Sequence, residues 1–249
     1  MFDKIITFSS HEDYVNLKED HPVPIKTNIP DWYKKLSHSP TYRTAKGCMP
    51  FLDTLTTGYL LKLPRDIYIQ HNVENKETKK KDSFTHGAKI DPGYLHSRGL
   101  NINHDLSKDI HPIDQLKGSP HVEKNKSLPF YKILNPWLIK TPPGYSCLFL
   151  PPMNNTDDRF SIIPGIVDTD TYKNEINFPF VINGDKYPTL ETMIKKGTPY
   201  VQVIPFKRDR WKMKVEKISV KTLVTNKTFF ELNVFNTYKD KYWNKKSWK

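Results

Sequence analysis

Apolar residues along this chain fall in short runs with strand spacing rather than in long helical stripes. In the second half, residues 137–140, 145–150, 160–163, 175–182 and 200–206 are apolar or alternating, and Pro, Gly or Asn punctuates them. Short strands with such punctuation predict a sandwich or barrel. Earlier, residues 58–63, stopped by Pro64, and the alternating 65–70 predict two more strands. Helical signals are fewer. Residues 31–36, led by Pro30, predict a short helix with Trp32 and Leu36 on one face. Phe230, Val234, Tyr238 and Tyr242 are four apart and predict a C-terminal helix within 229–243, with lysines at its end to suit the helix dipole.

These elements describe one mainly β domain over 1–249. It has an N-terminal arm at 1–46, a long irregular insertion at 72–130, a β-core at 133–206 and a basic C-terminal helix and tail at 229–249. Pro22, Pro24, Pro30 and Pro40 keep long helices out of the arm. The insertion is rich in Pro, Gly, His and Asn with little periodicity, and loops of that length are often functional.

The chain has 249 residues, enough to bury one substantial core. Its 12% aromatic content is one that a disordered chain would lack. No apolar run approaches the roughly 18 residues of a membrane span, and the first ten residues lack a secretory layout. Membrane, collagenous, coiled-coil and disulfide-rich classes are set aside, and a cytoplasmic location is expected. Cys48 and Cys147 make no metal-type pair; each adjoins an apolar residue and reads as a buried free thiol.

The net charge of +12 favours acidic partners such as nucleotides, nucleic acid or an anionic surface. Lys supplies most of it. Arg occurs only at Arg43, Arg65, Arg98, Arg159, Arg208 and Arg210, so sequence-specific DNA readout is not expected.

Known catalytic patterns are mostly missing. There is no Gly-x-Ser-x-Gly, no phosphate loop and no Gly-x-Gly-x-x-Gly. No His follows His121, so the β-core cannot supply the late His ligand of a cupin or 2-oxoglutarate oxygenase. His104, Asp105 and His111 cluster in the insertion and are the candidate ligands for a divalent metal; no other cofactor is expected. The densest signal lies in 141–206. Pro142-Pro143-Gly144-Tyr145 forms a turn, Gly165-Ile166-Val167-Asp168-Thr169-Asp170-Thr171-Tyr172 sets two carboxylates around a second turn, and Gly197 opens a strand carrying Val201, Gln202 and Val203. Asp168 should project from a strand end, and Asp168 and Asp170 are the candidate catalytic carboxylates.

The order and spacing of these residues resemble the dUTPase and dCTP deaminase superfamily, whose fold is the β-clip. The matching positions are Gly165, Val167, Asp168, Asp170, Tyr172, Gly197 and Gln202. The resemblance implies that Asp168 takes the place of the carboxylate handling the attacking water, Tyr172 that of the aromatic under the base, and Gln202 that of a phosphate-side contact. It also implies a homotrimer. The departures fall on the phosphate machinery. Pro152, Met153 and Asn154 stand where the family has Arg-Ser-Gly, Thr171 inserts before Tyr172, and the Gly-rich lid is missing. None of those three side chains replaces a guanidinium on phosphate. The segments Ile29-Pro30-Asp31-Trp32, Pro50-Phe51-Leu52-Asp53, Asn135-Pro136-Trp137 and 197–208 also resemble an uncharacterised domain family of tailed phages and bacteria. That resemblance implies a phage-encoded protein, in host cytoplasm or virion, and carries no known activity.

The expected function is a non-hydrolytic module that binds a small anionic ligand, with a nucleotide as the first candidate, through Asp168, Tyr172 and Gln202. The alternatives are a structural or interaction protein of a phage virion or host takeover, and a metal-dependent enzyme using His104, Asp105 and His111.

Overall fold

The computed structural model describes residues 4–74, 76, 77, 79, 81–86, 110–154, 157–232 and 236–249. It is mainly β, with all strand pairs antiparallel in several sheets. In chain order the strands are β1 (Thr7–Ser9), β2 (Val23–Pro24), β3 (Tyr59–Lys62), β4 (Ile67–Glu74), β5 (Lys81–His86), β6 (Ile110–His111) and β7 (Phe130–Ile133). Then come β8 (Leu138–Lys140), β9 (Tyr145–Leu150), β10 (Phe160–Ile162), β11 (Gly165–Val167), β12 (Phe178–Ile182), β13 (Leu190–Ile194) and β14 (Pro199–Lys207). The helices are α1 (Glu12–Val15), α2 (Asp31–Lys35), α3 (Met49–Thr54), α4 (Pro120–Lys124) and α5 (Val220–Leu232). Among the described residues, no helix is long and apolar enough to cross a membrane.

The largest sheet has the order β11-β9-β14-β3-β2, with β14 at its centre. The others are β10-β12-β7-β6, β13-β4-β5 and the pair β1-β8. Every sheet is open-ended, so the barrel alternative does not hold among the described residues. The strands are too short and too divided among sheets to close a cylinder.

One core joins these sheets. Val201 and Val203 of β14 are fully buried, as their alternation predicts. The Phe178 ring lies 5.4 Å from that of Phe149 and 5.8 Å from that of Tyr200. Gly58 admits the crossing of β3 onto β14. Its φ is +86°, and a Cβ there would sit 2.2 Å from the Val203 carbonyl oxygen, so only glycine fits.

Several expectations are corrected. The α2 helix turns Tyr33 inward, stacked on Phe51 at 5.8 Å, and leaves Trp32 exposed, because a five-residue helix buries one contact rather than a stripe. Cys48 is exposed and only Cys147 is buried. The C-terminal helix lies upstream of its expected place. The four-residue spacing ends in a separate helical turn at Tyr238–Tyr242, while α5 forms from Val220. Residues 4–46 contribute β1 and β2 to sheets, and the described part of 72–130 includes the end of β4, all of β5 and β6, and α4. Strand β7 gave no alternation in the sequence, since Phe130 and Tyr131 are both buried, whereas β13 alternates with Leu190 and Ile194 buried and Glu191 and Met193 exposed but was not expected as a strand.

Burial also places a titratable group inside β4. His71 is 1% exposed, and desolvation, aided by the Lys126 charge, holds its imidazole down at about 4 from the ordinary 6.5. The folded state therefore resists a proton that the unfolded chain accepts. Its contribution is complete above pH 6.5 and is lost as pH falls toward 4, a change of about 3 kcal/mol. Thermal melts should weaken across that window, and NMR of the His71 ring should show titration near 4. Titration near 6.5 would contradict the burial argument.

Candidate functional site

The Pro142-Pro143-Gly144-Tyr145 turn leads into β9, and 168–172 follows β11, the neighbour of β9. The two turns therefore meet at one corner of the large sheet, and β14 ends there because Lys207 pairs with Tyr145. Arg208, the next residue, ties all three pieces together. Its Nη1 donates to Asp170 Oδ1 at 2.8 Å, to Ser146 Oγ at 3.0 Å and to the Tyr145 carbonyl at 3.1 Å. Its Nη2 donates to Asp170 Oδ2, so the pair is bidentate. The Gly144 N–H donates to Asp170 Oδ2 at 2.8 Å. Asp168 Oδ1 accepts from Ser146 Oγ at 2.6 Å and lies 3.2 Å from Arg208 Nη1.

The two candidate carboxylates are thus unequal. The Asp170 side chain is 5% exposed, and Arg208 and the Gly144 amide hold its carboxyl at about 2. A carboxyl so acidic is a poor general base at neutral pH. Asp168 is 62% exposed and shares Arg208 with Asp170. Tyr172 closes the turn through its N–H, which donates to the Asp168 carbonyl at 2.9 Å, and its side chain is exposed.

Gln202 stands apart. It pairs with Leu150, whereas Val167 and Pro205 both flank Cys147. That register puts Gln202 roughly 10 Å from the Asp168 corner along the strands and roughly 10 Å across them. Its buried amide is fully engaged. Oε1 accepts from the Met153 N–H at 3.0 Å, and Nε2 donates to the carbonyls of Thr57 at 2.7 Å and Thr54 at 3.3 Å. The structure brings Asp168, Asp170 and Tyr172 together and leaves Gln202 as a clamp between β14 and two loops.

His104 and Asp105 lie outside the described residues, and His111 shares a hydrogen bond with Gln115. Among the described residues, no group of three or more His, Cys, Asp or Glu is gathered to hold a metal ion.

The Pro142 turn also forms one wall of a groove of about 390 Å3 that the sequence reading missed. Its lining includes Lys4, Tyr59, Tyr145, Pro205, Trp248 and Lys249; Asp168, Tyr172 and Gln202 are not part of it. Trp248 packs edge-on to Tyr59 at 5.9 Å, and Lys4 Nζ sits 5.9 Å above the Tyr145 ring. The C-terminal segment is held there by Asp53, which accepts from Trp243 Nε1 at 3.2 Å and from Lys246 Nζ at 2.6 Å. The sequence signal that could have pointed here was the aromatic character of the Lys-rich tail. The scarcity of Arg was the corresponding signal for Arg208. No family model and no curated protein matches the chain.

The Asp170–Arg208 pair has a defined pH signature. Its folded carboxyl lies below the ordinary 3.8, so its stabilisation is full above about 3.8 and lost as pH falls to about 2. Both Asp170→Asn and Arg208→Ala should lower the thermal midpoint at pH 7 and flatten its decline between pH 4 and 2. A slope unchanged from the parent would show that the pair is not formed. Separately, Gln202→Leu leaves one N–H and two carbonyls without their partner. It should cost about 1–3 kcal/mol per unmet buried group in urea unfolding.

Proposed function

We propose that this protein is a non-hydrolytic binding module for a small anionic ligand bearing a flat ring, a nucleotide being the first candidate, on a degenerate β-clip-like scaffold. The observation that carries this reading is the groove, where Tyr59, Tyr145 and Trp248 line one cleft together with Lys4 and Lys249, and the Lys4 ammonium sits over the Tyr145 ring. Its volume, about 390 Å3, falls in the range usual for small-ligand sites. Aromatic faces stack on bases of any identity, and cations at the rim favour phosphate. The Trp248 Nε1–H is buried without an acceptor among the described residues and adds a donor to the lining.

The non-hydrolytic part rests on the carboxylates. Asp170 is committed to Arg208 and the Gly144 amide, and Asp168 shares its Oδ1 between Ser146 and Arg208. Arg208 is turned onto these acids rather than outward toward a phosphate. In this reading Asp168, Asp170 and Arg208 are positioning residues that fix the Pro142 turn and so the Tyr145 wall.

A thermal-shift screen with nucleotides, inorganic phosphate and divalent metals tests the reading. Ligand at ~100 times its dissociation constant adds about 2.7 kcal/mol, a rise of roughly 5–10 °C for a chain of this size. A nucleotide should give that rise, and both Tyr145→Ala and Trp248→Ala should weaken its binding at least about tenfold, the loss of one stacking contact. A shift abolished by Asp168→Asn but not by Tyr145→Ala would move the site to the carboxylate turn. No shift with any nucleotide or anion would overturn the proposal.

A further inference from the structure

Beyond Arg208 the chain leaves the body. Every residue from 207 to 228 is exposed, and after a tight turn in which the Asp209 N–H donates to the Lys207 carbonyl at 3.1 Å, no turn or bend interrupts 210–219. Trp211 is 91% exposed, Met213 87% and Val215 85%. These three alternate with Arg210, Lys212 and Lys214. In an extended chain, alternate residues face opposite ways, so one face is apolar and the other cationic. The ion pair Lys214–Glu216 joins residues two apart, as same-face neighbours of an extended segment do.

The α5 helix that follows cannot hold itself. It has thirteen residues, near the lower limit for an isolated helix. It is also rich in Val and Thr, which are weak helix formers, and Val220, Leu223 and Val224 are exposed. Large apolar side chains at such exposure mark an association surface. The chain then returns, with Trp243 and Lys246 on Asp53, so residues 209–232 loop out from one body and come back to it.

We infer that residues 209–232 form an arm for a second copy of this chain, with the extended part adding a strand to the free edge of the partner copy's β11. An alternating segment of this kind satisfies its backbone by joining a sheet edge. Among the described residues, β11 has a strand on one side only, and Ile166 at its centre is 64% exposed. The edges of β13 and β2 are less suitable. Arg159 Nη1 already donates to the Met193 carbonyl of β13 at 3.3 Å, and β2 is two residues long and holds Pro24. The root of the arm also lies beside this edge, since Arg208 is 3.2 Å from Asp168, the residue that follows β11. Arm and acceptor thus share one corner, so two copies can exchange arms reciprocally across it, each presenting the same pair of surfaces.

Salt separates this arrangement from a nucleic-acid contact. Two chains of +12 repel, and salt screens that repulsion, so arm exchange tightens as salt rises. A phosphate partner would loosen instead. Sedimentation equilibrium of the full chain from 1 to 100 µM, at low and high salt and free of nucleic acid, is the test. The expected result is a mass that is a multiple of 29.2 kDa and an association that strengthens with salt. The double variant Trp211→Ser/Met213→Ser and, independently, Ile166→Lys should each weaken self-association at least about tenfold. Both should keep the thermal midpoint measured on dilute monomer, which separates lost association from lost folding. A monomer under all conditions, an assembly that neither variant weakens, or association that needs added nucleic acid and falls with salt would each overturn the proposal.

Discussion

The Arg208 guanidinium fixes the corner on which the rest of this structure depends. It joins residues from three parts of the chain, the Tyr145 turn, the Asp168–Asp170 turn and the end of β14. A planar fork suits this task, because two of its nitrogens meet both oxygens of Asp170 while one also reaches Ser146 and the Tyr145 carbonyl. Lysine offers one point charge and could not hold the same geometry. Two consequences follow from one contact. The Pro142 turn is pinned through Gly144, which sets the Tyr145 wall of the groove. The chain after β14 is also released at a fixed place beside β11.

Much of the mainly β character was legible in the sequence because burial in a sheet writes itself as alternation. The runs at 145–150 and 200–206 lie in β9 and β14, and Asp168 does follow a strand end. What could not be read was which strands meet. Arg208 and Asp170 are far apart in sequence, and no local pattern announces that they pair. The groove was hidden for the same reason, since Lys4, Tyr59, Tyr145 and Trp248 come from four separate segments. The C-terminal helix failed differently. The four-residue spacing of Phe230, Val234, Tyr238 and Tyr242 predicts a helix, yet it ends in one separate helical turn at Tyr238–Tyr242, whose ring centroids lie 6.4 Å apart.

Gln202 shows how a residue can match a pattern and still be occupied elsewhere. A glutamine on a central strand is costly to bury unless every polar atom is met. Here Met153, Thr54 and Thr57 meet them, which fastens the α3–β3 connection and the loop after β9 to the middle of the sheet. A side chain so engaged has no donor left for a ligand without breaking that clamp. In this structure Gln202 therefore holds a strand in place.

Charge and exposure point in different directions along this molecule, and the difference separates its two surfaces. At the groove, Lys4 and Lys249 stand beside aromatic rings that are half-buried. Along 210–215 the cations alternate with apolar side chains that are almost wholly exposed. A phosphate would neutralise the lysines there and leave Trp211, Met213 and Val215 in water. A sheet edge satisfies the backbone and covers that apolar column, while the lysines stay solvated on the outer face. Pairing with an edge is thus the arrangement that accounts for both faces of the arm at once, and in a reciprocal exchange the edge that meets the arm's root is the partner copy's β11.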